Sequence, residues 1–195
     1  ETASGRQLWG QEYQRQLSNI FAVQDDIGRA VAEQLRGSLS AGATRDRHQV
    51  TKPEIYAIYL DARAQMRERR QAPLEEAYRL VRQVVAADPD YAPGRALLAE
   101  VISLLSYDNY GKLPPDRALE LAKPHALAAI RLSPNAAEGH AALGLLFLDR
   151  PREAIGPLRR AAELGPASGE VRLWLASTNS LLGNLDAAVR HYRAL

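Results

Sequence analysis

The chain has 195 residues, with 25 Lys and Arg against 23 Asp and Glu. Nearly balanced charge gives no basic footprint for nucleic acid, and 46% hydrophobic residues are enough to bury a core. Cysteine is absent, which excludes thiolate metal sites, disulfides and cysteine nucleophiles.

In chain order, Trp9, Gln11 and Tyr13 alternate at strand spacing, predicting a short strand over Gln7 to Tyr13. Ser18 or Asn19 can cap a following helix. Ile20, Val23, Ile27, Val31 and Leu35 line one face of it, and Gly37 stops it. The small and polar stretch from Gly37 to Thr44 reads as a linker, which Arg45 to Lys52 continues. From Pro53 onward, apolar residues recur at three and four. This predicts helices at about 54–69, 73–87, 92–107, 115–132, 136–148, 151–164, 168–182 and 185–195. The longest apolar run, Ala141 to Leu148, is interrupted by Gly144 and is too short to span a bilayer. No signal peptide is visible. The chain starts without Met and ends within a helical pattern, so it reads as a soluble fragment of a longer protein, cytoplasmic or periplasmic.

The eight helices fall into four pairs with a repeating pattern. Each first helix carries a small residue near its middle: Ala62, Ala99, Gly144 and Ala176. Each second helix carries its own: Ala77, Ala122, Ala154 and Ala188. Pro89, Pro134 and Pro166 close three pairs. The step from each second-helix alanine to the proline is constant, and so is the step from proline to the next small residue. Two helices packed closely need a small residue where they cross. Proline cannot continue a helix but fits near the start of the next. One pair cannot bury its apolar face alone, so pairs stack.

On these residues the chain resembles the tetratricopeptide repeat (TPR) family. The matching stretches are Ala142 to Gly144 with Phe147, Ala154, Ala161 and Pro166; Leu182 to Tyr192, with Gly183, Ala188 and Tyr192 in order; and the junction Ala86 to Tyr91. The usual first-helix Trp is missing, its positions holding Ile58, Arg95, His140 and Arg172. The resemblance implies an all-α fold, a right-handed α-α superhelix, with a short N-terminal strand-helix remnant. A more specific resemblance lies in Gly5 to Tyr13 and Phe21 to Ile27, which look like the end of a TolB-like amino-terminal domain. Asp108 to Pro115 looks like the extended turn of the repeats that follow such domains. The implied organisation is the end of a TolB-like domain over 1–37, a linker over 38–52, and four TPR-like pairs over 53–195, the last truncated. It also implies a regulatory module of a bacterial signalling protein, downstream of a nucleotide cyclase or winged-helix effector whose own motifs are absent here.

No residue set suggests catalysis or a cofactor. His48, His125, His140 and His191 lack the i, i+4 spacing of a helical metal site. Asp25 and Asp26 are adjacent, point about 100° apart on a helix and read as first-turn acids. Gly139 to Gly144 lies inside a helix rather than after a strand, so it is no phosphate loop. The remaining candidate is the concave surface. There the alignment places Tyr59, Arg63, Met66, Glu100, Ser103, Leu145, Leu148, Leu173, Trp174 and Ser177. Core packing is the competing role for Leu145, Leu148 and Trp174. The Lys and Asn positions of the family's carboxylate clamp hold Tyr59 and Arg63, Ala96 and Glu100, and Ala141 and Leu145. This predicts no binding of acidic chaperone tails and favours an apolar or helical segment. The partner expected is a protein or peptide, including the chain's own effector domain, with no nucleic acid and no membrane engaged by this region. Homodimerisation through the N-terminal strand or the truncated C-terminal end is a further expectation. The alternative is a small-molecule sensor, which a deep pocket with converging polar groups would favour over a long open groove.

Overall fold

A computed structural model describes residues 49–165 and 168–195. The expected strand and helix of residues 1–37, and most of the linker, lie outside the described residues.

Eight helices make up the described residues. They are α1 (Pro53–Arg67), α2 (Gln71–Ala87), α3 (Ala92–Leu105), α4 (Pro115–Leu132), α5 (Ala137–Leu146), α6 (Pro151–Leu164), α7 (Gly169–Leu181) and α8 (Leu185–Arg193). They pack as the pairs α1–α2, α3–α4, α5–α6 and α7–α8. Each second helix also packs on the next first helix, and α3 lies against α5. This nearest-neighbour stacking is the signature of a helical-repeat solenoid.

The small residues sit where the repeat places them. Ala62, Ala99 and Ala176 are fully buried, and so are Ala77, Ala122 and Ala154, with Ala188 nearly so. Gly144 shows why size matters there. A Cβ on it would lie 2.4 Å from Leu158 Cδ2 and 2.5 Å from its Cγ, and Leu158 is itself fully buried. The α5–α6 crossing is therefore closed around the absence of a side chain.

The junction prolines act through the residue before them. The proline ring disfavours helical geometry in the residue before it. Asp88, Ser133 and Gly165 accordingly take nearly the same extended conformation, with φ of −140°, −139° and −132°. Each still donates its N–H to the helix it ends, to Val84, Ala129 and Ala161 respectively. Prolines at the first or second position open α1, α3, α4 and α6, where a missing N–H costs nothing. The α7–α8 turn instead uses Gly183 at φ +78°, with the Asn184 N–H closing onto the Asn179 carbonyl.

Two positions lacking the family's tryptophan carry a polar substitute. Arg95 Nε donates to the Pro89 carbonyl at 2.7 Å, and His140 Nε2 lies 3.1 Å from the Pro134 carbonyl. Both reach back six residues to the junction proline, so each ties a helix start to the preceding turn. The extended turn between α3 and α4 folds back on α3 through Leu113 N–H to the Leu105 carbonyl. Gly111 is required there, since a Cβ would fall 2.2 Å from the Leu105 oxygen.

The helix ends differ from the periodicity by one or two residues. Phe147 (φ −107°, ψ 18°) already leaves helical geometry after α5, and Arg69 turns left-handed (φ 49°) after α1. Apolar spacing extends past these turns because Phe147 and Leu148 still pack on the core.

Candidate functional site

First helices supply the concave surface because each presents one stripe at helical spacing. On α1 the stripe is Tyr59, Arg63, Met66 and Arg67; on α3 it is Pro93, Ala96, Leu97 and Glu100. The start of α5 adds Ala137, Glu138 and Ala141, and the start of α7 adds Glu170, Val171 and Trp174. The four stripes enclose a cavity of about 580 Å³. Across its mouth, Arg69 in the α1–α2 turn forms an ion pair with Glu170 at the start of α7, joining the first pair to the fourth.

The aromatic wall is ordered by packing. Tyr59 stacks on Tyr56 with ring centroids 5.9 Å apart and meets Tyr91 edge-on at 5.4 Å. Arg63 holds its guanidinium 5.7 Å from the Tyr59 ring centre. Burial pushes the Tyr59 hydroxyl up to about 12, so it is a neutral donor throughout the physiological range. Trp174 is half-buried and touches both apolar clusters of the core while lining the cavity.

Glu100 is the unusual group. It lines the cavity from α3 and is half-buried. It has no hydrogen bond and no ion pair among the described residues. Desolvation, reinforced by Glu170 and Glu138 and opposed by Arg69 and Arg63, raises its pKa to about 8. The neighbouring cations are engaged or solvated: Arg69 with Glu170, Arg63 over Tyr59, and Arg67 exposed at the rim.

Of the residues expected on the concave surface, Tyr59, Arg63, Met66, Glu100 and Trp174 come together in this cavity. Ser103 and Leu145 do not: both are buried, and they border a second recess of about 220 Å³ with Tyr107, Asp149 and Arg150. Ser103 Oγ donates to the Ala99 carbonyl one turn back. Leu148 is half-buried between the two apolar clusters. Leu173 is 46% exposed, and Ser177 is half-buried; neither lines the cavity. Glu138, Glu170, Leu97 and Val171 were not anticipated. Leu97 lies three residues from Glu100, and Val171 three from Trp174, so helical spacing marked both. Nothing in the sequence marked Glu170, because its place follows from the curvature that brings it to Arg69.

Among the histidines, His125 Nδ1 accepts from Arg95 Nη1 at 3.3 Å, and burial beside that charge lowers its pKa. No helix among the described residues is long and apolar enough to cross a membrane.

No family model matches the chain. Over 156 residues, 77% of the chain, it is 33% identical to "Putative adenylate cyclase 3" of Rhizobium meliloti (strain 1021). The match takes in 26% of that protein, so the chain spans about a quarter of its length. Among solved structures it is similar to a thermophilic TPR protein of Thermus thermophilus, at 27% identity and a TM-score of 0.61, covering 72% of this chain and 71% of that one. The described residues therefore form an all-α solenoid of the tetratricopeptide type, a fold of protein-interaction scaffolds.

Proposed function

We propose that this chain is the regulatory interaction module of a bacterial signalling protein and that it binds a peptide or partner domain in its concave cavity. The observation that carries the reading is the convergence of four first helices on one cavity walled by Tyr59 and Trp174. Large aromatic side chains at the centre of a concave surface are the usual anchors of protein interfaces. The signalling context is supported by the likeness to "Putative adenylate cyclase 3", of whose length the match takes in 26%. Within that reading, residues 1–37 are the end of a TolB-like domain, 38–52 the linker, and the effector domain of the same protein is one partner of the cavity. The exposed Leu181, Leu185, Val189, Tyr192 and Leu195 support self-association through the last pair, read out as concentration-dependent sedimentation.

A second reading, sensing of a small molecule, is favoured by the cavity itself. Its volume falls within the roughly 300–1,000 Å³ typical of ligand pockets, and charged groups converge on it.

The test begins with selection of peptides from a random display library on the immobilised chain, followed by calorimetric titration of synthetic copies. The interaction reading expects a peptide that binds the native chain and loses about 30-fold in affinity to a folded Trp174→Ala variant, equivalent to about 2 kcal/mol. Absence of any peptide ligand, with a small metabolite from a parallel thermal-shift screen binding the native chain and not the Trp174→Ala variant, would favour the sensor.

A further inference from the structure

We infer that the Arg69–Glu170 ion pair is a strap across the mouth of the concave cavity, and that its opening sets how readily an occupant enters. The inference holds whether that occupant is a peptide or a small molecule.

The backbone at Arg69 is the first sign. Arg69 follows Ala62 by seven positions, as Gly183 follows Ala176. Both turn left-handed after a first helix, Gly183 at φ +78° and Arg69 at φ 49°. That conformation suits glycine and strains a residue with a Cβ. Among the described residues, Arg69 is the one non-glycine residue that adopts it. Strained residues persist where surrounding contacts hold them. Here the contact is long-range: Arg69 Nη2 donates to Glu170 Oε1, 101 positions away in the first turn of α7.

The second sign is where the bond lies. Helix packing joins each pair to its neighbours, so the first and fourth pairs approach each other through the curvature of the stack. That curvature is the sum of small rotations at each stacking interface. The first and the last of the helices lining the cavity are α1 and α7, and a bond from the end of one to the start of the other fixes the width between them.

The third sign is that each end is stable without the other. Glu170 occupies the first turn of α7, where the helix dipole favours an acid. Its side chain is 57% exposed and that of Arg69 28%, so water solvates both on release. An exposed ion pair contributes little net stability, and salt near 1 M screens it, the Debye length there being about 3 Å. The strap is therefore reversible. An occupant wider than the closed mouth binds only the open state, and its apparent affinity scales with the open fraction.

The absence of cysteine allows labels at chosen sites. Ala64 on α1 and Leu173 on α7 are exposed and lie outside the cavity lining. Spin labels on Ala64→Cys and Leu173→Cys report the separation of the two helices by double electron–electron resonance. Arg69→Gly keeps the left-handed turn without its strain, and Glu170→Gln leaves the turn untouched. Each should raise the longer-distance population about two- to fivefold, the range an exposed ion pair supplies. So should 1 M NaCl in the native chain, but not in Arg69→Gly. The reversed pair, Arg69→Glu with Glu170→Arg, should restore the native distribution. Access is read separately, as the rate at which a biotin maleimide alkylates Ala141→Cys inside the cavity. That rate should rise in both single variants. They change the local charge in opposite senses, so an electrostatic effect on the thiolate would move their rates apart. Unchanged distances in both single variants would overturn the inference. Widening in Arg69→Gly alone would also overturn it, assigning the effect to the turn. Widening without faster alkylation would overturn it too, leaving the ion pair as a structural tie.

Discussion

Replacing Gly144 by alanine isolates the crossing of α5 and α6. Two effects oppose each other. Alanine is the better helix former by about 1 kcal/mol, which alone would stabilise α5. The added methyl, however, would sit 2.4 Å and 2.5 Å from two atoms of Leu158, and 3.3 Å from its backbone nitrogen. Leu158 is fully buried, so its side chain has no free volume to move into, and overpacking of this kind costs about 1–3 kcal/mol. The net expectation is a loss of up to about 2 kcal/mol, or several degrees in Tm for a chain of this size. The control is Leu158→Ala, which by itself costs about 2–5 kcal/mol but removes both offending atoms. In that background Gly144→Ala should become stabilising, because the helix-propensity gain remains and the new methyl occupies part of the cavity. Thermal and urea denaturation of the four variants measures the coupling. Gly144→Ala stabilising the native background, or costing the same with and without Leu158, would refute the close crossing.

Glu100 sets a pH dependence. Its folded pKa lies above the unfolded carboxylate value, so its contribution to stability is fully present below about pH 4.5 and is lost as pH rises through about 8. Glu100→Gln should therefore be more stable than the native chain at pH 8.5, the difference shrinking towards pH 5; urea titrations at both pH values decide it. Gly183 at φ +78° faces open space, so Gly183→Ala should cost about 1 kcal/mol through backbone strain alone, and a stabilising result would contradict the left-handed turn. Pro124 sits exposed inside α4, where the missing N–H and the ring clash cost up to about 3 kcal/mol. Pro124→Ala should raise Tm, and a lowered Tm would show that the ring supports packing there.

The repeat was legible because it rests on local rules. Constant offsets between small residues and prolines reflect helix crossings and pre-proline geometry, both set by residues a few positions apart. The helix boundaries near Phe147 and Arg69 were less so, since apolar spacing does not register where the backbone turns while its side chains still pack. The site divides in the same way. Tyr59, Arg63, Glu100 and Trp174 follow from helical spacing within single helices. Burial of Leu145 and Ser103 depends on α3 lying against α5, and the closure by Arg69 and Glu170 spans 101 positions. Long-range curvature of that kind leaves no mark in a local pattern.

The central claim is that the cavity between α1, α3, α5 and α7 is the binding site. Ala141 lines it from α5 and is 6% exposed, so Ala141→Phe would fill the cavity while changing no charge. The decisive measurement is the affinity of a selected peptide for this variant, with helix content and Tm verified in parallel. The account predicts a folded protein whose peptide affinity falls by at least about tenfold, as expected when an anchor pocket is occluded. A folded Ala141→Phe chain that binds the peptide as tightly as the native one would contradict it.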